Sequence, residues 1–167
     1  PFLRDVVSHD PRLITAVHRA LRDMDRPLDD LEQVEIVAAL ADAMVANDPS
    51  AGVSRTGRPP KLARREAELA RLYLDEATET VTADELERVS GLDRFTLNRQ
   101  FRQLYGTSPY NYLVMRRLDR ARGLMTLGTD LAEVAAATGF ADQSHFTRQF
   151  KRAYGRTPAA WKAMLKN

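Results

Sequence analysis

The 167 residues contain no cysteine, which excludes disulfides, thiolate zinc sites and cysteine nucleophiles together and fits a reducing compartment. Histidine is scarce: His9, His18 and His145 stand too far apart in sequence to suggest a ligand cluster, so neither a metal nor a cofactor is expected. No apolar run approaches the roughly eighteen residues of a membrane span, and the chain does not start with a charged-then-apolar leader. A soluble, cytoplasmic protein is the default. No alternating strand pattern is present, and no nucleophile-base pair, phosphate loop or metal cluster occurs at a recognisable spacing. No enzymatic activity is therefore expected.

Hydrophobic residues make up 44% of the chain, enough for a true core. Charge is distributed unevenly. Residues 1–50 carry five Arg against ten acids, a net −5, whereas residues 51–167 carry twenty bases against thirteen acids, a net +7. From residue 88 onward fourteen bases face five acids. Such a segment suits a polyanion, and equally a solvated surface that keeps a protein in solution.

The stretch "NDPSAGVSRTGRPPK" (47–61) holds three Pro, two Gly and two Ser and reads as a linker over 47–60. Before it lie two helical patterns. Asp10 with Pro11 starts the first, with Leu13, Ile14, Val17, Leu21 and Met24 in one apolar stripe. Asp29 with Glu32 resembles a capping box for the second, whose stripe is Leu31, Val34, Val37, Leu40, Ala41, Met44 and Val45. Two such helices expose more apolar surface than they can cover by pairing, so packing on a missing part of the protein or on a second copy is expected. Pro1 in place of an initiating Met fits a fragment.

After the linker every strong pattern is helical, and seven helices are expected between residues 61 and 167. Within them one element occurs twice. "LNRQFRQLYGTSP" (97–109) and "FTRQFKRAYGRTP" (146–158) share six of thirteen positions, with three further close exchanges. The repeat extends backwards, "ADELERVSGL" (83–92) lying over "LAEVAAATGF" (131–140). The offset rises from 48 to 49, which places one extra residue in the second turn. The unit is helix, glycine-containing turn, helix: helix-turn-helix grammar. Leu86 with Val89, and Val134 with Ala137, are placed for packing, and Gly91 and Gly139 occupy the turns.

In the second helix of each unit, Leu97, Phe101 and Leu104, or Phe146, Phe150 and Ala153, recur at helical spacing and should face inward. The opposite face is then left with Phe95, Asn98, Arg99 and Arg102 in one copy. In the other it is left with Ser144, His145, Thr147, Arg148, Lys151 and Arg152. Arg can bond two acceptors on a guanine edge, and Asn, His, Ser and Thr can make neutral base or phosphate contacts. Both faces are expected to be open. Each element ends in Tyr-Gly followed by Ser or Thr and Pro, so Gly106, Pro109, Gly155 and Pro158 serve folding, and Tyr112 and Trp161 belong to the core or its edge.

A continuous helix over 109–127 would span about 28 Å, close to the roughly 34 Å between successive major grooves on one face of a duplex. Two unequal reading helices could then enter adjacent grooves from one monomer. Its "RRLDRAR" stretch (116–122) supplies four arginines, divided between the duplex backbone and pairing with Asp119 and solvent.

With these residues in view, residues 61–165 resemble the DNA-binding domain of the AraC/XylS family of bacterial transcription regulators. The likeness rests on "GFADQSHFTRQFKRAYGRTPAAW" (139–161), "SGLDRFTLNRQFRQLYGTSPYNYL" (90–113) and the long helix between them. It implies an all-α fold: two helix-turn-helix subdomains (about 82–105 and 130–154) joined by a linker helix, preceded by an N-terminal helical pair. It implies sequence-specific binding of double-stranded DNA in the bacterial nucleoid, with an exposed face that recruits RNA polymerase for activation. Carried over residue by residue, base-reading falls to Phe95, Asn98, Arg99, Gln143, His145 and Arg148, and phosphate contact to Arg102, Ser144, Thr147, Lys151 and Arg152. Phe95 either packs on thymine methyls or rests on a neighbouring helix. Residues 1–46 resemble the helical tail after an effector-binding barrel, where paired helices form a homodimer contact. A small-molecule effector would then bind a domain absent from this chain. The competing reading is a helical protein-interaction module whose basic face is incidental.

Overall fold

The structure, a computed structural model, describes residues 9–22, 27–47 and 62–165. Of the proposed linker over 47–60 all but Asn47, together with Met24 of the first stripe and Pro1, lies outside the described residues. Among those described there is no strand. The helices are α1 (Pro11–Arg22), α2 (Asp30–Ala46), α3 (Arg64–Glu76), α4 (Ala83–Ser90), α5 (Arg94–Tyr105), α6 (Pro109–Thr126), α7 (Leu131–Ala137), α8 (Gln143–Tyr154) and α9 (Pro158–Met164). None is long and apolar enough to cross a membrane. The all-α expectation holds, and the seven helices foreseen after residue 61 are all present.

The helix starts follow local chemistry. Asp10 accepts from the Arg12 amide at 2.7 Å and opens α1. Thr82 and Glu85 form a capping box on α4, the Thr82 amide donating to Glu85 at 2.8 Å and the Glu85 amide to Thr82 at 3.2 Å. The box expected at Asp29 and Glu32 does not form: the Asp29 side chain makes no capping bond, and Glu32 is buried. Gly106 and Gly155 close α5 and α8 at φ 71° and 73°, left-handed values that cost a side-chain-bearing residue about 1–2 kcal/mol.

The chain forms two compact units, residues 1–70 with 82–108, and residues 71–81 with 109–167. In the first, Leu86, Leu97 and Phe101 are buried as the repeat pattern requires, with Leu31, Val34 and Ile36 of α2. Part of the apolar surface of the helical pair is covered within the chain. α2 packs on α1, α4 and α5, so the covering surface is the first helix-turn-helix itself. Ile14, Val17 and Leu21 of α1 and Val37 and Val45 of α2 remain exposed.

In the second unit Phe146 and Phe150 sit with ring centres 5.7 Å apart, flanked by Phe140 at 5.3 Å and Trp161 at 6.0 Å. Ala137 and Ala153 are exposed, contrary to the expected packing faces; Ala135 of α7 and Thr138, which follows its last residue, are buried. Thr138 donates to the Val134 carbonyl at 2.6 Å, as Ser90 does to Leu86 in the first unit at 2.6 Å. A buried hydroxyl satisfied within its own helix turn is thus a shared feature of both units.

α6 is unbroken over 18 residues, about 27 Å at 1.5 Å per residue. All four arginines of "RRLDRAR" are engaged within their own unit. Arg116 pairs with Asp75 at 2.9 Å, and Arg120 donates to the Ala77 and Asp75 carbonyls. Arg117 is buried and donates to the Glu79 carbonyl, and Arg122 lies over the rings of Tyr154 and Trp161 at 5.4 and 5.7 Å. Gly139, at φ 77°, leaves room for Arg117, whose Nε would stand 3.1 Å from any added Cβ.

Candidate nucleic-acid interface

α8 carries no acid in twelve residues, "QSHFTRQFKRAY". Its N-terminus is held by Asp142, which accepts from the His145 amide at 2.6 Å. That bond is the main reason the Asp142 carboxyl titrates below its ordinary range, with Arg148 and His145 charges adding to it. Phe146, Gln149 and Phe150 turn inward, leaving Gln143, Ser144, Arg148, Lys151 and Arg152 exposed and Thr147 half-buried. Lys151 and Arg152 form no ion pair with a described residue. The result is a cationic strip with amide and hydroxyl groups at its N-terminal end, able to bond phosphates and base edges.

His145 departs from expectation. It is 1% exposed, edge-on to Phe140 at 5.4 Å, with its Nε2 3.3 Å from Gln149 Nε2. Gln149 Nε2 also donates to the Tyr110 hydroxyl at 3.2 Å. The physical reason is angular. His145 precedes Phe146 by one residue and Gln149 by four, so it falls at the border of the inward face, where Phe140 and the buried amide capture it. A base-reading role for His145 is therefore not supported by its placement.

α5 has the same frame and a different environment. Asp93 accepts from the Thr96 amide at 3.0 Å and the Phe95 amide at 3.1 Å, and its carboxyl is lowered first by the Thr96 amide. Arg99 is exposed and Phe95 is 50% exposed, so Phe95 does not rest fully on a neighbour. Asn98 is 3% exposed and Arg102 has a side chain 30% exposed. Asn98 Nδ2 donates to Glu35 Oε2 at 3.3 Å, and Arg102 reaches Glu35 at 2.8 Å and Asp42 at 3.1 Å. Glu35 itself is 1% exposed.

Half of the expected open face of α5 is thus seated against α2. The repeat pattern placed Asn98 and Arg102 opposite Leu97 and Phe101, which is correct within the helix. What it could not contain is that another segment of the chain fills that side. At the start of α5, Arg94 is occupied too, bonding Glu87 at 2.8 Å and Asp84 at 2.5 Å. Glu87 is held below its ordinary range chiefly by the Arg94 guanidinium.

Two buried residues were missed by reading faces alone. Gln100 and Gln149, identical across the repeat, are both buried, and Gln100 accepts from the Ala63 amide at 3.1 Å. Their identity in both copies, with no outward role, was the available signal.

A family profile described as a helix-turn-helix domain matches residues 86–164. The chain is 35% identical over 85 residues to the HTH-type transcriptional activator RhaS of Escherichia fergusonii, covering 50% of this chain and 31% of that protein. It spans less than half the length of that relative. Among solved structures it is similar to an AraC-type DNA-binding domain protein from Chromobacterium violaceum, at TM-score 0.55 and 26% identity, covering 62% of this chain and 94% of that one. It is also similar to the DNA-binding domain of AdpA in complex with a target DNA, at TM-score 0.52 and 26% identity, covering 63% of this chain and 93% of that one.

Proposed function

We propose that this chain, whose helix-turn-helix region belongs to the AraC/XylS family of transcription regulators, binds double-stranded DNA sequence-specifically to regulate transcription. The observation that carries this reading is the exposed strip on α8: Gln143, Ser144, Arg148, Lys151 and Arg152 on an acid-free helix fixed by an aromatic inward face. A duplex is a dense polyanion whose major groove admits such a helix. Arg148 and Gln143 read bases; Lys151, Arg152, Ser144 and Thr147 bond phosphates and set register. Arg99 and Phe95 of α5 supply a second, smaller contact. Similarity to a domain solved with its target DNA supports the assignment. The role is regulatory and non-enzymatic, and any RNA polymerase contact or effector response belongs to the whole regulator.

Truncating Arg99 and Arg148 together tests it. Duplex affinity at low salt should fall, with each lost bidentate base contact removing about 1–3 kcal/mol of discrimination. Unchanged affinity, with loss of a protein partner instead, would favour an interaction module. Footprinting on genomic fragments should protect about two helical turns if both helices engage one site.

A further inference from the structure

Resting on that DNA-binding reading, we infer that α2 is an autoinhibitory cover for the first recognition helix, occupying with its own carboxylates the positions on α5 that a duplex would take. α2 carries four acids and no base in "DLEQVEIVAALADAMVA". Three of them dock it onto the first helix-turn-helix. Asp30 accepts from the Ala83 amide, at the N-terminus of α4, at 2.6 Å. Glu35 takes Arg102 and Asn98, and Asp42 takes Arg102 from the other side.

These are the interactions a nucleic acid makes. Carboxylates stand where phosphate oxygens would meet the Arg102 guanidinium, and Glu35 Oε2 stands where a base or phosphate acceptor would meet the Asn98 amide. A groove wall and α2 cannot both lie against Asn98, which is 3% exposed. The two are competitors for one surface, and whichever binds excludes the other.

The seat combines a polar centre with the buried apolar residues Leu31, Val34 and Ile36 of α2, so vacating it exposes apolar surface that the duplex contacts must offset. The groups meeting across it are Glu35 and Asp42 on one side and Asn98 and Arg102 on the other. A cavity of about 500 Å³, lined by Pro11, Arg12, Ala16, Asp42, Ala43 and Arg102, opens beside it. When α2 leaves, Asn98 and Arg102 join Phe95 and Arg99 on one open face. Among the described residues of the second unit none covers the outward face of α8, where Gln143, Ser144, Arg148, Lys151 and Arg152 are exposed. The chain therefore has a weak state, gripping DNA through α8 with partial help from α5, and a strong state in which both helices read.

The test uses the full chain and a mixed-sequence duplex of about three helical turns at low salt. The variant E35Q/D42N keeps side-chain size and removes the two charges that hold Arg102. If the uncovered state is about one tenth populated in the parent chain, its duplex affinity should rise about tenfold. The charge-matched control E76Q/E79Q, on exposed acids outside α2 that bond neither Asn98 nor Arg102, should change affinity less than about twofold. An equal gain in both variants, or no gain in the first, would overturn the inference. Hydrogen exchange on the unmodified chain gives an independent reading: amides of α2 should lose protection on duplex binding, while those of α8 keep or gain it. Duplex bound with α2 still protected sinks the cover and leaves the function standing. Parent and variant both indifferent to the duplex sink the function, and the cover with it.

Discussion

The two recognition helices share a template and differ in what surrounds them. Arg94 begins α5 and is held by Asp84 and Glu87, whereas α8 begins with Gln143, and the residues of α7 that match those acids are Ala132 and Ala135. Arg102 is clamped by Glu35 and Asp42, whereas its counterpart Lys151 is exposed and forms no ion pair with a described residue. Asn98 is buried, whereas its counterpart Thr147 is only half-buried. Arg99 and Arg148, by contrast, are exposed alike. A repeated motif therefore fixes a scaffold in both places and leaves availability to be set by neighbours.

The largest expected break in this comparison comes at Arg102. Arg102→Ala leaves Glu35 buried without its cation, and removal of one partner of a buried pair costs about 3–5 kcal/mol; water already reaches Arg102, so a value of about 3 kcal/mol or less is expected in urea unfolding. Lys151→Ala, at the matching position of α8, should stay within about 0.5 kcal/mol. Equal costs at both positions would mean that the α2 seat contributes nothing.

Next in size is the contrast between Arg148 and Arg99. Arg148→Ala should reduce discrimination between duplex sequences by about 1–3 kcal/mol, measured by competition binding. Arg99→Ala should cost clearly less in the parent chain, because α5 is partly covered, and should approach the Arg148 value in the E35Q/D42N background. A larger loss at Arg99 in the parent chain would reverse the proposed order of the two helices.

The smallest effect is one the two units should share. Asp93 and Asp142 are both lowered from the ordinary carboxylate range by backbone amides at a helix start. Each therefore stabilises the folded state fully above about pH 4, the unfolded value, and that contribution is lost as pH falls through the lower folded value. Melting temperature should drop on acidification below about pH 4. Asp142→Asn keeps an acceptor at the cap and should flatten the part of that dependence reported by α8. If the dependence is unchanged, the Asp142 cap is not one of its sources.

Much of the fold was legible because its signals are local. Thr82 with Glu85, Asp93, Asp142 and Thr157 before Pro158 announce helix starts, and Gly106 and Gly155 announce stops, each acting within a few residues of itself. The inward positions of Leu97, Phe101, Phe146 and Phe150 follow from helical period alone. His145 was misplaced because it sits at the border between faces, where one aromatic ring, Phe140, decides the outcome. Asn98 and Arg102 were assigned to the right side of α5, but their partner lies more than sixty residues away in the chain.

The amino-acid order by itself determined two helix-turn-helix units, their caps, their inward faces and the cationic character of α8, since all of these arise from interactions spanning a turn or two of helix. Only the tertiary structure decided that the acidic α2 lies on the first helix-turn-helix, with Glu35 under Arg102 and Asp30 at the start of α4. The physical reason is that a carboxylate carries no address. Which of twenty-five cations it neutralises depends on where packing brings it, and so the openness of a binding face is a property of the folded chain.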